Sequence, residues 1–141
     1  MNRILSWFEG QRDTSILILR VILATILIVS GYQKLFGSGI SEFTGYLAGR
    51  GIVMSPLFGI LVPVLEFFGG IAILLGLFTR YVAILIAIQF VYISVHYKPI
   101  LVGGSSVWKS VRIDLTLAAM AILLITHGGG RLALDRILFR K

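Results

Sequence analysis

The segment from Leu57 to Leu77, LFGILVPVLEFFGGIAILLGL, is an unbroken apolar run with a single carboxylate, Glu66, near its middle. Crossing ~30 Å of hydrocarbon takes about 20 residues at ~1.5 Å each, so this run has spanning length. An acid at bilayer depth costs on the order of 2.5–3.5 kcal/mol, which calls for a partner or a polar cavity. What can partner Glu66 is therefore the question that organises the rest of the chain.

Three further runs have the same character, about residues 16–36, 81–97 and 111–127. With 57% hydrophobic and 13% charged residues, the 141-residue chain lacks the polar coat of a soluble domain. It reads as one all-α membrane domain, a bundle of four transmembrane helices at about 16–36, 57–77, 81–97 and 111–127. The net charge of +7 is spread between apolar runs rather than interleaved with aromatics, so it points to topology and anionic lipid and not to nucleic acid. No cysteine is present, which excludes disulfides, thiolate metal ligands and thiol redox chemistry by the chain itself.

Residues 1–15 mix Ile4, Leu5, Trp7 and Phe8 with charges and predict a short interfacial segment, with no cleavable signal peptide. Asp13, Thr14 and Ser15 are candidate caps for the first span. Between the first two spans, five glycines punctuate a segment in which Ser41 can cap a short helix carrying Phe43, Tyr46 and Leu47. That helix is too short to span, so a re-entrant or interfacial lid is expected. Thr79–Arg80 makes a tight turn, Lys98 to Ser110 a loop with the Gly103–Gly104 pair, and Gly128-Gly129-Gly130 a stop. The tail, RLALDRILFRK over residues 131–141, is expected to lie on the membrane as a basic amphipathic segment.

Four spans put both termini on one side. That side carries eight cations (Arg3, Arg12, Arg20, Arg80, Arg131, Arg136, Arg140, Lys141) against five on the other (Lys34, Arg50, Lys98, Lys109, Arg112). The excess favours a plasma (inner) membrane protein with both termini cytoplasmic.

Helical spacing makes the polar residues converge. Arg20, Ala24, Leu27, Gly31 and Lys34 form one face of the first span, and Gly59, Pro63, Glu66 and Gly70 one face of the second. Gln89, Tyr92 and His96 share a face in the third, and Asp114, Ala118 and Ala121 in the fourth, just after Arg112. The expectation is a polar funnel at the end away from the termini, with Glu66 at its floor. Candidate partners of Glu66 are Lys34 first, then His96, Gln89 and Arg112, with Asp114 also near the mouth of the funnel, while Arg20 is expected to snorkel to the cytoplasmic interface. The two histidines lie at opposite depths, which argues against a bis-histidine haem. Glu-x-x-His pairs, a GxSxG elbow and a P-loop are all missing, so neither a metal site nor a covalent or metal-centred enzyme is expected.

Several of these residues also form a pattern: Arg20, the Gly-Tyr-Gln-Lys of Gly31 to Lys34, Phe43, Glu66-Phe67-Phe68-Gly69-Gly70, and Gly-Leu-Phe-Thr-Arg at Gly76 to Arg80. His96, Asp114 and GGGRLALD from Gly128 to Asp135 complete it. The pattern resembles the DoxX family of small four-helix membrane proteins over about residues 16–136. Two details depart from the family pattern: Arg112 and Asp114 stand where a glutamate is common, and the closing turn differs from a G-P-G-R-x-S-x-D type. The family is named from a subunit associated with a thiosulfate:quinone oxidoreductase or terminal quinol oxidase system, and other members are tied to oxidoreductase complexes in oxidative-stress defence.

The resemblance implies an accessory subunit of a quinone-linked membrane redox system, without a covalently bound cofactor. Lys34 and His96 would donate to quinone carbonyls, with Gln89, Arg112 and Asp114 in the binding set. Glu66 would relay a proton. Electrons would come from a partner, since the chain has no cofactor motif; expected assemblies are other membrane-protein subunits or a homo-oligomer. The competing expectation is a non-catalytic structural or assembly subunit. A small-solute transporter ranks lowest, because the sequence shows no convincing repeat.

Overall fold

In the computed structural model, which describes residues 2–101 and 104–139, the chain is all helical. Gly103, Arg140 and Lys141 lie outside the described residues, as does the side chain of Arg3. Seven α-helices and two π turns follow one another: α1 (Asn2–Tyr32), a π turn (Gln33–Gly37), α2 (Gly39–Gly49), α3 (Ser55–Leu75), α4 (Thr79–Tyr92), a second π turn (Ile93–Tyr97), α5 (Lys98–Leu101), α6 (Ser106–His127) and α7 (Leu134–Leu138). Four stretches are long and apolar enough to cross a membrane: Gly10–Gly37, Ser55–Leu75, Thr79–Tyr97 and Ser106–His127. The chain is thus a multi-pass membrane protein with four spanning helices.

Their limits differ from the sequence expectation for local reasons. The N-terminal segment is not separate; it continues into the first span as one 31-residue helix. Asp13 therefore caps nothing and pairs with Arg131 at 3.6 Å, while the Ser15 hydroxyl donates back to the Gln11 carbonyl at 3.1 Å. In α3, Pro56 occupies the first turn, where a missing N–H costs nothing. The helix ends at Gly76, whose φ of 74° supplies the left-handed residue of a Schellman stop, with Leu77 N–H bonded to the Ala72 carbonyl at 2.8 Å. Helix α6 starts five residues before the apolar run because Ser106 to Ser110 continue the helix beyond it.

Helix α1 packs chiefly on α3 and α4 on α6, and α3 with α4 joins the two pairs. The core lies where they meet, around Leu23, Leu27, Ile73, Ile86, Ala121 and Leu124, all fully buried. The outward faces stay apolar and exposed, as in Val29, Leu61, Leu85 and Leu123. That is the arrangement of a bundle solvated by lipid. The order span, π turn, short helix, span occurs twice, once from α1 to α3 and once from α4 to α6.

Without a hydrophobic drive between helices in lipid, close backbone approach holds such pairs together. Gly31 is a point of close backbone approach between α1 and α3, since a Cβ there would clash with the Phe67 backbone nitrogen and sit 2.8 Å from its Cα. Backbone cannot move aside, so Gly31→Ala must separate the two helices. It is expected to destabilise the protein by about 1–3 kcal/mol, the usual range for an overpacked core. Gly45→Ala, with nothing within 4 Å of the new methyl, is the matched control and should leave stability unchanged or slightly higher. Thermal unfolding of both variants in the same detergent makes the comparison.

Candidate functional site

Glu66 is 2% exposed, deep in α3, and its carboxylate is fully engaged by neighbouring helices. Lys34, in the first π turn, donates to Oε2 at 2.6 Å, and the Ser30 hydroxyl donates to the same oxygen at 2.9 Å. Gln89 of α4 donates to Oε1 at 3.2 Å. Lys34 also reaches Ser30 Oγ at 3.2 Å, which closes a small triangle around Oε2. Its ammonium lies 5.4 Å from the centre of the Phe43 ring, within cation–π range. The small-residue face of α3 creates the room: Gly59, Pro63 and Gly70 are buried on the Glu66 side.

A second lysine–carboxylate pair lies across the same cavity. Lys98, immediately after the second π turn, stands 3.3 Å from Asp114 Oδ2 in α6. The Lys98 ammonium also donates to Ser110 Oγ at 2.5 Å. Asp114 Oδ2 is buried beside this cation. Each half of the repeated helix order thus contributes a lysine at its π turn and a carboxylate on its following span.

Between the pairs is a cavity of about 190 Å³. Lys34, Glu66, Lys98 and Asp114 line it together with an aromatic wall that includes Phe43, Phe58, Phe90 and Tyr97. The short helix α2 forms one side of it by packing on α3, and buried Leu47 and Ile52 cluster there with Phe43, Phe58 and Tyr97.

Of the residues singled out from sequence, Lys34, Glu66 and Gln89 are hydrogen-bonded to one another, and Asp114 lies on the same cavity. His96 and Arg112 are not brought in; both are exposed on the outer surface of the bundle. The second π turn is the cause for His96. Its wider winding breaks the 3.6-residue register, so Ile93 and Tyr97 face the cavity while His96 stacks outside on Tyr92, ring centres 4.5 Å apart. Arg112 sits two residues before Asp114 and so points to a different side of α6. Ser30 and Lys98 were missed. The spacing of Ser30 to Lys34, one helical turn, is a signal that could have found the first. Lys98 carries no such signal, because its partners come together only in the fold.

The opposite end of the bundle is clamped by Arg20, which is 1% exposed and does not snorkel. Its guanidinium donates to the carbonyls of Ile73 at 3.1 Å, Leu74 at 2.8 Å and Gly129 at 2.8 Å. Of these, the Leu74 carbonyl is one that the end of α3 leaves without a partner, whereas the Ile73 carbonyl also accepts from the Gly76 amide at 3.1 Å. Asp135 completes the clamp by accepting from the amides of Phe78 at 2.5 Å and Thr79 at 2.8 Å, at the start of α4. Most of the motif residues outside the cavity thus serve this joint between α1, the α3–α4 turn and the closing loop.

Among the described residues, no three His, Asp or Glu side chains come together as a metal site. What the cavity does offer is two lysine donors, two carboxylates and aromatic faces.

Comparison with known proteins gives a consistent assignment. The DoxX family model matches residues 15–97. The chain is 33% identical over 140 residues to the inner membrane protein YphA of Escherichia coli (strain K12), covering 92% of this chain and 94% of that protein. It is 27% identical over 130 residues to the inner membrane protein YqjF of the same organism, covering 92% and 95%. A protein of Haemophilus influenzae (strain ATCC 51907 / DSM 11121 / KW20 / Rd) is 29% identical over 142 residues, covering 94% and 97%. No solved structure matches. With its four spanning helices and these relatives, the chain belongs to the DoxX family of integral membrane proteins.

Proposed function

We propose that this protein is an inner membrane redox accessory that holds a quinone or quinol headgroup in the cavity between its two lysine–carboxylate pairs. The observation that carries this reading is the cavity itself: about 190 Å³ at one end of the bundle, charged on two sides and aromatic between them. A headgroup of this class is planar, apolar on its faces and polar at two opposite oxygens, which suits aromatic walls with donors at either side. Lys34 and Lys98 would donate to ring oxygens. Asp114 Oδ2 would accept from a ring hydroxyl in the reduced form. Glu66 and Asp114 are the groups placed to hold or release protons when such a ring is oxidised or reduced. The ring supplies the two-electron chemistry, and a partner oxidoreductase exchanges the electrons with it. The relatives named as inner membrane proteins support that membrane, and the excess of cations at the end with the termini supports a reading with both termini in the cytoplasm.

One observation favours a purely structural subunit instead. Lys34, Glu66, Gln89 and Ser30 already satisfy one another, as a helix-register device would. Quinone binding by the purified protein separates the two readings. A water-soluble short-chain quinone is expected to bind the native chain and to bind the Lys34→Ala, Glu66→Gln double variant at least tenfold more weakly. A native protein that binds no quinone, together with a double variant that keeps full respiratory activity, would leave only the structural role.

A further inference from the structure

At the end of the bundle that carries both termini is a larger cleft of about 560 Å³, formed where α1, the α3–α4 turn and the closing glycine loop meet. Its charged lining is Arg12, Arg80, Arg136, Asp13 and Asp135, with His127 beside them. The two acids are already committed. Asp135 holds the amides of Phe78 and Thr79, and Asp13 faces Arg131. Among the described residues, none of Arg12, Arg80 and Arg136 has a carboxylate partner. The cleft therefore carries three arginines without a direct ion-pair partner against two carboxylates, of which Asp135 is held by backbone amides and Asp13 faces a fourth arginine, so an excess of positive charge lines it.

The glycine loop is shaped around this arrangement. Gly128 has a φ of 71°, and a Cβ there would come within 3.2 Å of Arg80 Nε, so the Arg80 side chain lies against bare backbone. The mouth of the cleft is aromatic: Phe78, Tyr81 and Phe139 are 54%, 72% and 62% exposed, and the Phe78 and Phe139 rings are 5.6 Å apart. Phe78 and Tyr81 flank the start of the third span and so sit at headgroup level, where aromatic side chains favour the membrane–water boundary. A soluble anion would gain nothing from that rim, whereas a lipid brings acyl chains to it and a phosphate to the arginines.

We infer that this cleft is a binding site for the phosphate headgroup of an anionic phospholipid from the leaflet at the end of the bundle that carries both termini. The assignment is independent of what the other cavity binds. Native mass spectrometry of the full chain, released from nanodiscs of mixed phosphatidylglycerol and phosphatidylcholine, tests it. The native protein is expected to retain phosphatidylglycerol preferentially, and the Arg80→Gln, Arg136→Gln double variant to lose on the order of tenfold or more of that retention. Both residues are exposed, and an unchanged melting temperature will show that the variant is folded. Lys109→Gln with Arg112→Gln removes the same charge at the other end and is expected to retain the lipid as the native chain does. Millimolar inorganic phosphate is expected not to displace it. Equal retention by the Arg80, Arg136 variant, equal loss in the Lys109, Arg112 control, or full displacement by inorganic phosphate would each overturn the assignment.

Discussion

Arg20→Leu is expected to be among the most damaging single substitutions in this chain. The side chain is fully buried and satisfies three carbonyls at once, those of Ile73, Leu74 and Gly129. Leucine fills much of the space but donates nothing. The Ile73 carbonyl keeps the Gly76 amide, but those of Leu74 and Gly129 lose their donor, and each carbonyl left buried without one costs about 1–3 kcal/mol, so the loss should reach several kcal/mol. It falls on the joint between α1, the C-terminus of α3 and the closing loop, where Gly76 leaves no room for repacking. A Cβ at Gly76 would lie 2.6 Å from both Ala133 Cα and an Arg20 nitrogen. Arg20→Lys should recover only part of the stability, because one ammonium cannot reproduce a planar fork that reaches three acceptors. The yield of folded protein and its unfolding temperature in mild detergent measure both variants. Native-like melting of Arg20→Leu would mean that water or the loop backbone replaces the guanidinium.

The second large effect is at Glu66. Glu66→Ala removes the carboxylate and, among the described residues, leaves Lys34 with Ser30 as its hydrogen-bond partner and Gln89 with none in this cluster. Stripping one partner from a buried ion pair costs about 3–5 kcal/mol, because the remaining charge stays desolvated. Lys34 keeps some exposure, with 26% of its side chain accessible, so the lower end of that range is expected. Glu66→Gln keeps the shape and one acceptor oxygen and should be milder. The informative variant is the double replacement Lys34→Met, Glu66→Leu, which removes both charges together. It should restore most of the lost stability, since well-packed apolar residues in place of a buried pair are often neutral or better. A double variant as unstable as Glu66→Ala would show that the pair is worth more to folding than its apolar replacement. These melts report on structure alone; ligand binding by the same variants reports on function.

The four spans, the small-residue faces and the Lys34–Glu66–Gln89 group were legible because all rest on helical periodicity within apolar runs. Arg20, Ala24, Leu27 and Gly31 are indeed buried along one face of α1, and Asp114, Ala118 and Ala121 along one face of α6. What failed to show was everything that breaks that periodicity. Nothing in Gln33–Gly37 or Ile93–Tyr97 marks a π turn; the first leaves Lys34 on its expected face, but the second carries His96 away from the cavity. The repeated helix order was hidden for the same reason, since its likeness lies in backbone geometry and in two lysine–carboxylate pairs at unequal sequence separations. Arg20 was misplaced because snorkelling assumes free water at the span end, whereas the α3–α4 turn and the glycine loop close over it. Lys98 sat in an expected loop, and only the fold brings Asp114 to it.

The central claim is that the cavity between the two lysine–carboxylate pairs receives a planar, oxygen-bearing headgroup. Its most direct test is photoaffinity labelling of the purified native protein with an azido-quinone, followed by peptide mapping of the attachment sites. Labels competed away by unmodified quinone should fall on cavity-lining segments, above all Phe43–Phe58 and Ile93–Lys98, and should disappear in the Lys34→Ala, Glu66→Gln variant. Competable labelling confined to the outer face around Val91, Val95 and His96, or labelling indifferent to the double substitution, would contradict the account.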